Sequence, residues 1–60
     1  MTQFIQPPLE TWQRAAAAQI WNEGGDTLEI ADVLGLFGEV AVVAALEDIK
    51  EIARKMRAAA

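Results

Sequence analysis

Carboxylates and cations are almost the only reactive side chains this sequence offers. It holds nine Asp and Glu and five Lys and Arg, with no His, Cys, Ser or Tyr. Covalent catalysis and imidazole general-base catalysis therefore lack their usual groups. A disulfide or a Cys/His zinc site is ruled out in the same way. Carboxylates can still hold a cation, repel or attract a partner, or cap helices. Glu29 and Asp32 are three residues apart, close enough on a helix to share a metal. Residues 22–26, however, lack the alternating oxygen ligands and trailing Glu of a calcium loop. Gly24-Gly25 is not followed by the lysine that a phosphate-binding loop requires. The chain reads as non-enzymatic, with no cofactor, metal or small-molecule site.

The charges are segregated. Glu23, Asp26, Glu29, Asp32, Glu39, Glu47 and Asp48 lie between Gln19 and Ile49 with no basic residue among them. In the first 18 residues Glu10 and Arg14 cancel. From Lys50 onward, Lys50, Arg54, Lys55 and Arg57 outweigh Glu51, leaving the end basic although the whole chain carries −4. A nucleic-acid-binding domain displaces counterions from phosphate with a basic face. Here only the C-terminal helix supplies one, so DNA is a disfavoured partner on charge grounds.

Sixty residues allow one small domain, which buries only about 60% of the surface its unfolded chain exposes. Without disulfide or metal, it must rely on tight helix packing or association with other chains. Met1-Thr2-Gln3-Phe4-Ile5-Gln6 lacks the basic and apolar regions of a secretory signal. The longest nonpolar run, Val40 to Leu46, is far short of the roughly 18–20 residues of a membrane span. A cytoplasmic protein with no membrane partner is the expectation.

The elements that must position these charges are helices. An extended arm, residues 1–8, ends at Pro7-Pro8, with Pro8 suited to a first helical turn. The domain proper covers 9–57, followed by a tail at 58–60. The first helix is expected from Leu9 to Asn22, burying Leu9, Trp12, Ala16 and Ile20 at 3.6-residue spacing. Gly24-Gly25 stops it. Asp26 and Glu29 form a capping box for a second helix from Thr27 to Leu34, closed by Gly35. After the turn Leu36-Phe37-Gly38, a third helix from Glu39 has no breaker and is expected to run on to Arg57. The fold class is all-α: a compact three-helix, helix-turn-helix-like domain with a long C-terminal helix and an extended N-terminal arm.

The third helix has more apolar surface than one neighbour covers. Val42, Leu46, Ile49, Ala53 and Met56 follow the a/d rhythm of a coiled coil, and Ala45, Ile49, Ile52 and Met56 form a second row beside it. Val43, Leu46, Ile49, Ile52 and Met56 are therefore assigned to an interface with another chain, most simply a second copy in a dimer. Lys50, Arg54 and Arg57 follow one side of the same helix as candidate phosphate contacts. Against that, Glu47–Lys50, Glu51–Arg54 and Glu51–Lys55 have the spacing of ordinary helical ion pairs. Trp12 and Trp21 lie nine residues apart, on opposite sides of the first helix. One of them is expected to be partly exposed, or in contact with Phe4-Ile5 or with another chain.

Trp21, Gly24, Ile30-Ala31, Leu34-Gly35 and Val42 together resemble the tri-helical helix-turn-helix of GcrA-type and Myb-like bacterial or phage regulators. The resemblance spans residues 21–46. It implies that Trp21 packs the core, that Ile30-Ala31 is where the second helix meets the third, and that the third helix enters a DNA groove. The groove positions it implies are Glu39, Val40, Ala41, Val43, Ala44 and Glu47. Reading bases requires Arg, Lys, Asn or Gln at purine edges, or small apolar groups at thymine methyls. From Leu36 to Ile49 no such polar donor occurs. The second helix, which in these regulators crosses the phosphate backbone, instead carries an acidic face of Asp26, Glu29 and Asp32.

The sequence therefore points to a non-catalytic protein–protein interaction module with a regulatory role, self-associating through its third helix and with Trp21 as a further interface candidate. One alternative is a DNA-binding transcription regulator acting as a dimer through its C-terminal cations. The other is a small acidic phage-type inhibitor whose carboxylates imitate nucleic-acid phosphates.

Overall fold

Two glycine stops divide the chain. The computed structural model describes residues 8–36 and 38–59. Residues 1–7 of the arm, including Phe4-Ile5, together with Phe37 and Ala60, lie outside the described residues. Helix α1 spans Thr11–Asn22, α2 Thr27–Val33, α3 Val40–Ala44 and α4 Leu46–Ala59, with no strand among the described residues. The domain is all-α with a long C-terminal helix, as the apolar periodicity predicts.

Both stops have the same construction. Gly24 (φ 93°) follows α1 and Gly35 (φ 71°) follows α2, each in the left-handed region that costs a side-chain-bearing residue about 1–2 kcal/mol. The Gly25 N–H donates to Ile20 O and the Gly24 N–H to Trp21 O. After α2, Leu36 donates to Ala31 O and Gly35 to Asp32 O. These paired bonds are Schellman motifs that satisfy the last carbonyls of each helix. Leu36 completes the second one by packing against the core. Gly25 is needed for a different reason: a Cβ there would stand 2.5 Å from Ile20 Cγ2 and collide with the Glu29 carboxylate.

The start of α2 is also as expected in part. The Asp26 side chain accepts from the Glu29 N–H at 2.9 Å, but no return bond from the Asp26 N–H to Glu29 forms. At α1 the helix begins two residues later than expected. Glu10 is the N-cap, its N–H donating to Gln13 Oε1 at 2.8 Å, and Pro8 lies ahead of the first turn.

The expected third helix is interrupted. Ala45 (φ −98°, ψ 6°) separates α3 from α4, although its N–H still donates to Ala41 O and its own carbonyl accepts from Ile49. The turn lets α3 lie against α2 while α4 lies against α1, the most extensive helix pair of the fold. At its far end α4 continues past the expected Arg57 to Ala59.

The interior is built mainly of alanine. Ala17, Ala18, Ala31, Ala41 and Ala53 are buried with Leu9, Ile30, Val42 and Ile49. Alanine on facing helices allows close backbone approach, which suits a chain too short for a thick core. A side-chain bond reinforces the principal pair: Asn22 Nδ2 donates to Ala53 O at 3.0 Å, joining α1 to α4. No helix among the described residues is long and apolar enough to cross a membrane.

Candidate interaction surface

The helix α1 turns the opposite face inward from the one its large residues suggest. Ala17 and Ala18 are buried and Trp21, one turn on, packs against the core. Trp12 is 61% exposed, its indole N–H donating to Glu10 Oε2 at 2.7 Å. This corrects the expected inward stripe of Leu9, Trp12, Ala16 and Ile20: Leu9 is buried, Ala16 and Ile20 are half-buried, and Trp12 faces out. Arg14 starts the true inward stripe, at i, i+3, i+4, i+7 with Ala17, Ala18 and Trp21. It is only half-buried, and its guanidinium reaches back to donate to Leu9 O at 2.8 Å. A long cationic side chain can bury its stem while its head stays satisfied.

The residues assigned to a chain–chain interface separate into three groups. Ile49 is fully buried, so it belongs to the internal core and cannot line an outer face. Leu46, Ile52 and Trp21 are half-buried. Val43 and Met56 are exposed. The turn at Ala45 also breaks the continuous apolar rows, leaving Val43 on α3 and Leu46, Ile49, Ile52 and Met56 on α4.

Among the positions the regulator resemblance would send into a groove, Ala41 is buried. Glu39 is half-buried and its carboxylate accepts a hydrogen bond from the Thr27 hydroxyl, tying the start of α3 to the start of α2. Val40, Val43, Ala44 and Glu47 are exposed. The outward side of α3 is thus aliphatic with one carboxylate at its margin and no donor for a base edge.

Asp26, Glu29 and Asp32 are exposed on α2, and with Leu28 they line a shallow surface depression. Leu28 and Asp32 are one turn apart, as are Glu29 and Val33. The outer face of α2 is therefore two neighbouring ridges, each with one acid and one aliphatic residue, in opposite order. No group of three acidic residues among the described ones is arranged to hold a metal ion.

On α4, Lys50, Arg54 and Arg57 are all exposed. The ammonium of Lys50 sits 5.6 Å from the centre of the Trp21 ring, a cation–π contact between α4 and α1. Sequence spacing offered no signal for it, because 29 positions separate the two residues. Of the three expected ion pairs only Glu51–Lys55 closes, at 3.7 Å and exposed. A second shallow depression is lined by Arg14, Asp48, Glu51, Ile52 and Lys55. Its charges are mixed, and it offers no convergent set of groups for a reaction.

Comparison of the chain with protein-family models, with curated proteins and with solved structures finds no match.

Proposed function

We propose that this chain is a small non-catalytic protein–protein interaction module on a helix-turn-helix-like scaffold, self-associating as a dimer, with a regulatory role. One observation carries the reading. Leu28 (63% exposed), Val33 (63%), Val40 (71%) and Val43 (54%) all stand out from α2 and α3, whereas the largest fully enclosed side chains among the described residues are Ile30, Val42 and Ile49. The two short helices thus leave four large aliphatic side chains to solvent. Apolar surface rimmed by charge is what a protein-binding face requires. The carboxylates around it select against phosphate and set partner choice.

The test is the mass of the native chain by sedimentation equilibrium, compared with Val43→Glu. Val43 is exposed, so its substitution leaves the monomer fold in place. A native dimer that Val43→Glu weakens supports the reading, and a native chain that stays monomeric at high concentration overturns it.

A dimeric DNA-binding regulator is the second reading, favoured by the exposed Arg54 and Arg57, neither of which pairs with a carboxylate among the described residues. It requires retention of duplex DNA that falls steeply with salt.

A further inference from the structure

Among the described residues the last part of α4 is largely exposed. Ala53 is the final buried residue, and Arg54 to Ala59 are all exposed, so about 9 Å of helix extends beyond the packed body. This segment carries Arg54, Lys55 and Arg57 and no acid, with Met56, 38% exposed, as its one large apolar side chain. On α2 the outer face has the reverse character, with Asp26, Glu29 and Asp32 exposed beside Leu28 and Val33. None of these three carboxylates pairs with a cation among the described residues. Within one copy, α4 packs chiefly on α1, and α2 packs on α1 and α3, so the two charged surfaces form no ion pair with each other.

We infer that the cationic end of α4 from one copy docks on the acidic outer face of α2 in a second copy. The inference rests on the self-association proposed above and names the surfaces that make it. The match lies within the chain itself: two unpaired arginines on one element, three carboxylates and two aliphatic side chains on another. Arg54 and Arg57, one turn apart on the same side of α4, reach Glu29 and Asp32, and their aliphatic stems lie against Leu28 or Val33. Arginine is suited to this because its guanidinium bonds a carboxylate through two parallel N–H groups. Every copy carries both surfaces, so a two-fold dimer makes the contact twice.

The experiment is a charge swap read by sedimentation equilibrium, with far-UV circular dichroism confirming native helix content. One variant carries Arg54→Glu with Arg57→Glu, the other Glu29→Lys with Asp32→Lys, and all four positions are exposed. Each variant alone places like charges together and is expected to self-associate at least about tenfold more weakly than the native chain. Mixed in equal amounts, the two present opposite charges again, and a one-to-one heterodimer is expected. If the native chain dimerises but both variants dimerise as tightly, or the mixture fails to associate, this docking mode is wrong while self-association stands through another surface such as α3. A native chain that remains monomeric throughout overturns both.

Discussion

Replacing Ile49 by alanine separates internal packing from interface packing. The row Ala45, Ile49, Ile52, Met56 places Ile49 in an outward seam, whereas the fold encloses it completely, among the three largest fully buried side chains of the described residues. Truncating a buried Ile to Ala removes its transfer free energy and leaves a cavity, together costing about 2–5 kcal/mol. At about 0.05–0.15 kcal/mol per residue, a domain of this length is stable by only about 3–9 kcal/mol. The substitution therefore removes a large share of the total. In a domain this small each kcal/mol moves the midpoint by about 4–8 °C. Thermal unfolding followed by circular dichroism should show Tm falling by roughly 8 °C or more. The loss should be the same at two protein concentrations well below dimerisation. Ile49→Val, which keeps most of the volume, should lose about 0.5–1.5 kcal/mol. A loss that appears only where the native chain is associated would place Ile49 at a chain–chain contact, since stability gained by association depends on concentration. A Tm within about 2 °C of native would refute the core assignment outright.

Two further outcomes follow from local geometry. Asp26→Ala removes the acceptor for the Glu29 N–H and should cost about 1 kcal/mol in urea unfolding, while Asp26→Asn, which keeps an acceptor oxygen, should cost much less; equal losses would discount the cap. In fluorescence, acrylamide should quench Trp12 readily and Trp21 weakly. Trp12→Phe should therefore leave a protected emission and Trp21→Phe an accessible one, and the reverse pattern would contradict the orientation of α1.

The punctuation of the fold was legible because each mark has a local cause. Gly24 and Gly35 end helices through backbone conformations that favour glycine, and Asp26 opens one through its own side-chain oxygen. Two features were not legible, for physical reasons. Ala15 to Ala18 make α1 nearly featureless, so the large residues Trp12 and Ile20 suggested a face. The actual inward face is the one where small alanines let α4 approach, and it begins with a charged residue, Arg14. The break at Ala45 carries no glycine or proline. It follows from α3 and α4 packing on different partners, which is a property of the assembled helices and not of the local sequence. The acidic face of α2 and the cationic side of α4 were readable from spacing alone. Their failure to pair within one copy was not, nor was the Lys50–Trp21 contact, because both depend on how the helices are arranged.

The most direct measurement is the molecular mass of the isolated 60-residue chain in solution at low salt, with and without duplex DNA. The account predicts a concentration-dependent dimer whose mass is unchanged by the duplex. A monomer at every concentration, or a complex with DNA that dissolves as salt is raised, would contradict it.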